Sequence, residues 1–95
     1  MLTHVVLLQP KPETTEEQIT TAFDHVKALQ EAISGILDVQ AGKNMSNYSQ
    51  GYTYGFVMRF TDNERLKAYA SHPAHQVVSE ELQRICQKII DFDVE

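Results

Sequence analysis

Residues 3–9, THVVLLQ, are apolar on both parities of an extended chain: Val5 and Leu7 fall on one side, Val6 and Leu8 on the other. A strand of that kind is covered on both faces, because each row of side chains needs an apolar neighbour. Pro10 and Pro12 end it. Any fold of this chain has to provide two covers for its first strand.

The remaining sequence provides one. Residues 14–35 read as a helix. Thr14 and Glu17 have the spacing of a capping box. Ile19, Ala22, Phe23, Val26, Leu29 and Ile33 recur at the helical period, and Gly35 tolerates the positive φ that ends a helix. Residues 36–42 alternate, with Leu37, Val39 and Ala41 on one face, and residues 43–51 form a polar loop. Residues 52–60, YTYGFVMRF, are the clearest strand, placing Tyr52, Tyr54, Phe56, Met58 and Phe60 on one parity. Residues 61–70 restart a helix, with Thr61 and Glu64 again in capping-box spacing. Pro73 then opens a fresh helix at its first turn, where a missing N–H is harmless. That helix runs to about Lys88 on Val78, Leu82, Ile85 and Ile89, and residues 89–94 close the chain as a strand.

The order β-α-β-β-α-β, its second helix broken at Pro73, is the split βαβ pattern of a ferredoxin-like α+β fold. It predicts one domain over residues 1–95, with an antiparallel four-stranded sheet and helices on one face. The bare face then needs a partner, and a second copy in a two-fold homodimer is the expected one.

Charge and composition exclude several classes of function. A formal net charge of −5 offers no basic stripe for nucleic acid. No apolar run reaches bilayer length, and the first residues lack the pattern of a signal peptide. Cys86 is the one cysteine, so no internal disulfide forms, and a cytoplasmic location is expected.

The chemistry-bearing residues gather around SHPAHQ, residues 71–76. His75 shares a stripe with Val78 and Leu82, so it is expected to be buried toward the core, with His72 as the more exposed, helix-starting partner. Tyr69 stands near Leu66 on the inward side of the preceding helix, and His4 has the parity of Val6 and Leu8. If that parity faces the helices, His4, Tyr69 and His75 converge above the strand 52–60. A neutral imidazole suits a general base, and a phenol beside it can stabilise a developing oxyanion or enolate. The alternative is structural: His72 caps a helix and His75 holds the broken helix pair together through one buried hydrogen bond. His72 and His75 lack further ligands at a recognisable spacing, so no metal is expected, and no cofactor-binding loop is present. Asp91 and Asp93 could approach the site, although alternating acids on a strand are more often a solvated face. His25 borders the first helix's apolar stripe.

The chain resembles the stress-responsive A/B barrel domain (Dabb) family. The resemblance rests on HVVLLQPKPETTEEQI, GILDVQAGKN, GYTYGFVMRF, LKAYASHPAHQ and DFDVE, pieces that together span nearly the whole sequence. It implies a dimeric α+β barrel built from two ferredoxin-like subunits. Most members have no assigned reaction, and some are stress-associated proteins that assemble further. One plant branch closes a linear polyketide without a cofactor, through a tyrosine and the second histidine of HPAH, which correspond to Tyr69 and His75. A first-strand histidine, here His4, also lines that pocket. The plant enzymes carry a tyrosine where this chain has Val26 and an indole where it has Cys86, and Asp91 stands where a more apolar residue would face the pocket. Related dimeric barrels host cofactor-independent monooxygenases on other site residues.

The resulting expectation is a homodimer of unassigned activity with a pocket between sheet and helices in each subunit. Val6, Leu8, Phe23 and Val39 are expected to line it with His4, and Phe56 and Val78 to complete it. A small apolar or aromatic ligand fits such a pocket. The alternative is a cofactor-free cyclase or lyase using His75 and Tyr69 as an acid/base pair.

Overall fold

β1 (Leu2–Pro10) is an inner strand of a four-stranded sheet of order β2-β3-β1-β4, in a computed structural model that describes residues 1–95. The other elements are α1 (Glu16–Ala32), β2 (Ile36–Lys43), β3 (Tyr54–Phe60), α2 (Asn63–Ala70), α3 (Pro73–Ile85) and β4 (Cys86–Val94). Every strand pair is antiparallel. The helices lie on one face of the sheet, and this is the ferredoxin-like arrangement expected from the pattern.

Leu2, His4, Val6 and Leu8 of β1 are buried beneath the helices. The six apolar residues expected on one face of the first helix, from Ile19 to Ile33, are all buried there against Phe56, Met58 and Phe60. Each large side chain so buried contributes about 1.5–3 kcal/mol of transfer free energy. The other face has no cover from this chain. There Val5 lies between Val57 and Phe92, and Leu7 between Gly55 and Ile90. Phe92 is 61% exposed and Ile90 45%.

The boundaries differ from the sequence expectation in ways that have local causes. The capping box of α1 is Thr15 with Gln18, not Thr14 with Glu17: Thr15 Oγ1 accepts from Gln18 N at 3.1 Å, and Gln18 Oε1 accepts from Thr15 N at 2.9 Å. The Thr14 hydroxyl is instead turned to the Ile85 carbonyl, to which it donates at 2.6 Å. At α2 the cap is Asp62, whose carboxylate accepts from Arg65 N, while Thr61 N donates to Gly35 O. Gly35 adopts φ +98°, and an added Cβ there would come within 2.7 Å of Arg65 Cγ.

On β2, Leu37 was expected on one face with Val39 and Ala41 and is instead 45% exposed while Val39 packs against the core. The register jumps between Ile36 and Asp38, which face Phe60 and Arg59 in turn, so Leu37 is the extra residue of a bulge. The bulge reverses parity and lets Ile36 and Val39 both face the core side. Tyr52 lies in the loop before β3, not in the strand. α3 ends at Ile85 and β4 starts at Cys86, three residues earlier than expected. Ile89 and Lys88 pair with Leu8 and Gln9 of β1, and this ladder overrides the helical spacing of Ile89.

Candidate functional site

The break between α2 and α3 builds the site. α2 stops at Ala70, which leaves late carbonyls without helical partners. His72, in extended conformation, caps α3 by accepting from Ala74 N at 3.0 Å, with Pro73 in the first turn. His75, one turn on, places Nδ1 3.1 Å from the Ala70 carbonyl oxygen. A carbonyl only accepts, so Nδ1 carries the proton and Nε2 presents its lone pair. The pair SHPAH therefore starts one helix and fastens it to the end of the other.

Tyr69, in the last turn of α2, is buried, with its ring edge-on to Phe60 at a centroid distance of 5.1 Å. The His75 ring lies 4.3 Å from it, and the His4 ring 6.0 Å. His4, Tyr69 and His75 thus converge, with His4 also edge-on to Phe56 and Phe60. His75 is half-buried, not buried as expected, because it sits in the first turn of α3 at the edge of the helical layer; His72 is half-buried too.

These three residues border a cavity of about 360 Å³ between β1, β4 and α3. Its apolar walls include Val6, Phe56, Val78, Leu82 and Ile89, and its polar walls include Ser79, Gln83 and Asp91. Leu8, Phe23 and Val39 are not among the lining residues. Leu8 is fully enclosed in the core, and Phe23 packs on Tyr54 and Phe56. Val39 is on β2, which β3 separates from β1. A wider depression of about 560 Å³ near the start of α1 has one hydrophobic wall residue, Ile85.

The acids of β4 stand closer to His4 and the cavity than sequence reasoning indicated. Asp93 pairs with His4 across the β1–β4 ladder, and its carboxylate is hydrogen-bonded to His4 Nδ1. Asp91, opposite Val6, lines the cavity. A signal was available in parity: Ile90, Phe92 and Val94 form the apolar row of this strand, so the acids fall on the row shared with Ile89. His25 stays outside the cavity, its Nδ1 2.8 Å from Glu81 Oε1 on α3.

Burial pushes the Tyr69 hydroxyl well above the ordinary phenol range, and the Asp91 charge adds to the shift. The group stays protonated at neutral pH, and it makes no hydrogen bond within the chain. Burial lowers His75 below its ordinary 6.5; the Ala70 hydrogen bond opposes this, His4 and His72 reinforce it, and Asp91 opposes it. A neutral imidazole with a free Nε2 beside a protonated phenol can accept one proton and donate another.

An antiparallel sheet carrying helices on one face, with a cavity between the two layers, defines a ferredoxin-like α+β protein. The chain belongs to the stress-responsive A/B barrel (Dabb) family, whose model matches residues 2–95. It is 30% identical over 92 residues to olivetolic acid cyclase of Cannabis sativa, covering 95% of this chain and 91% of that protein. A dimeric ferredoxin-like protein of unknown function from Jannaschia sp. CCS1 shares 33% identity at a TM-score of 0.88, covering 99% of this chain and 97% of that one. An Arabidopsis thaliana protein superposes with a TM-score of 0.94 at 27% identity, covering 100% and 94%. No helix is long and apolar enough to cross a membrane.

Proposed function

We propose that this Dabb protein is a homodimer whose subunits each hold a small apolar or aromatic molecule in the cavity beside Tyr69 and His75. The observation that carries the reading is the cavity itself. Its volume of about 360 Å³ lies within the range of small-molecule sites, roughly 300–1,000 Å³, and its apolar walls surround a few convergent polar groups. The dimer is supported by the uncovered sheet face and by the dimeric Jannaschia relative. Neither nucleic acid nor a membrane belongs to this reading, and a cytoplasmic location is part of it. Native mass spectrometry of the purified protein tests it: a small molecule retained in the wild type and lost on Ser79→Trp, which fills the cavity, is the expected result. Wild-type spectra showing the bare protein mass alone would refute a resident ligand, and a ligand equally retained by the variant would place it outside this cavity.

One observation favours a second reading. The Tyr69–His75 ring contact at 4.3 Å has the makings of an acid/base pair, which is also what a cofactor-free cyclase or lyase would need. Binding stands ahead of it because Tyr69 and His75 serve the fold whatever the cavity holds: the ring of one fills the core, and the other fastens α3 to α2. Exchange of solvent deuterium into an aryl ketone at the carbon beside its carbonyl, abolished by His75→Ala, would establish proton abstraction.

A further inference from the structure

The polar groups around the cavity are unevenly divided between donors and acceptors. His75 gives its one proton to Ala70 O, so Nε2 is left as an acceptor on a residue that lines the cavity. Asp91, exposed on β4 at the cavity wall, brings two carboxylate oxygens and forms neither a hydrogen bond nor an ion pair with any residue of the chain. His4 has its Nδ1 engaged by Asp93, so even a protonated His4 is balanced by the carboxylate beside it. Gln83 directs one amide N–H to Ser79 Oγ, 3.1 Å away, which leaves its second N–H and the Ser79 hydroxyl proton as neutral donors. The Tyr69 hydroxyl is a third neutral donor, and its oxygen can also accept. No lysine or arginine is among the lining residues. Acceptors therefore outnumber donors, and Asp91 is a negative charge without a protein cation.

We propose, resting on the reading of this cavity as a ligand site, that it selects an apolar or aromatic molecule bearing a hydroxyl or ammonium donor and rejects the corresponding carboxylate. Asp91 is the residue that sets this preference. A donor on the ligand pairs with the Asp91 carboxylate or with His75 Nε2, and its apolar body lies along Val6, Phe56, Val78 and Leu82. A carboxylate in the same pose meets the like charge of Asp91 and no compensating cation. A carboxylate that leaves water beside a like charge and without a cation loses affinity.

The test uses three ligands with one phenylpropyl body: 3-phenylpropylamine, 3-phenylpropan-1-ol and 3-phenylpropanoate, titrated calorimetrically into the whole protein at pH 7. The amine and the alcohol are expected to bind at least tenfold more tightly than the carboxylate. Asp91→Asn should weaken the amine most and bring the carboxylate within about threefold of it, and Asp91→Ser gives the same result should the asparagine variant fold poorly. Ser79→Trp, or Gln83→Trp if that variant fails to fold, should remove binding of all three. Carboxylate binding as tight as that of the alcohol and lost on filling the cavity would leave the cavity a ligand site and overturn its selectivity. Absence of binding by all three, or binding that survives a filled cavity, would overturn the ligand-site reading and this inference with it.

Discussion

The two faces of β4 invert the usual order of a sheet. Toward its own helices the strand presents Asp91 and Asp93; away from them it presents Ile90, Phe92 and Val94. A strand of a finished monomer does the opposite, with apolar residues toward the covering layer and charges toward water. On the neighbouring strand β1, Val5 and Leu7 face outward, and Leu2, Val6 and Leu8 form an inward row interrupted by His4, the partner of Asp93. The difference teaches where the molecule is incomplete and where its cavity opens. Apolar residues on an uncovered face ask for another protein surface. The carboxylates on the helix side stay exposed at this edge strand: Asp93 pairs with His4, and Asp91 borders a cavity.

Substitutions on the two faces separate these demands. The largest effect is expected on the helix side, at Tyr69. Tyr69→Ala removes a buried ring packed on Phe60, His4 and His75 and should reduce stability by about 3–5 kcal/mol in denaturant unfolding. Tyr69→Phe should leave stability within about 1 kcal/mol of the wild type, because the hydroxyl makes no hydrogen bond inside the chain. A large loss for Tyr69→Phe would mean that the hydroxyl supports the fold and is not held free for the cavity.

Next comes Phe92 on the open face. In an isolated subunit a side chain 61% exposed is replaced by aspartate at little consequence, within about 0.5 kcal/mol. Buried at the centre of a dimer it becomes an anchor, and Phe92→Asp should then weaken association by about 2 kcal/mol or more. Concentration-dependent melting of wild type and variant distinguishes the two cases. A smaller change is expected for His75→Ala, about 1 kcal/mol, since the Nδ1–Ala70 hydrogen bond is reachable by water.

The smallest effect is a pH dependence. His75 is depressed in the folded state by burial, so below its ordinary value of 6.5 the unfolded chain takes up a proton that the folded chain resists. Stability should therefore fall as pH drops from 7 through 6.5 and level off below the folded pKa. That increment should be absent in His75→Ala. An unchanged slope in the variant would move the effect to other groups.

Much of this architecture is visible in the sequence because period and order agree across levels. The stripe from Ile19 to Ile33, the alternation from Tyr54 to Phe60 and the double-sided β1 leave few topologies open. What the sequence conceals depends on contacts distant in the chain. The Thr14 hydroxyl is turned to Ile85, seventy-one positions away. The parity of β2 depends on a one-residue bulge that pairing with β3 creates at Leu37. Of the site, His4, Tyr69 and His75 are legible from parity and stripe. Asp91 and Asp93 are only half legible: their parity with Ile89 points to the helix side and their charge to solvent, and the register that sets them beside Val6 and His4 leaves both exposed.

The central claim is that the apolar outer face is an interface between two copies, which leaves the inner cavity as the working surface of each subunit. Sedimentation velocity of the wild-type protein at micromolar concentration tests it most directly. The account predicts one species of about twice the 10.8 kDa chain mass, held by an interface of more than about 1,200 Å². A monodisperse monomer at that concentration would contradict it.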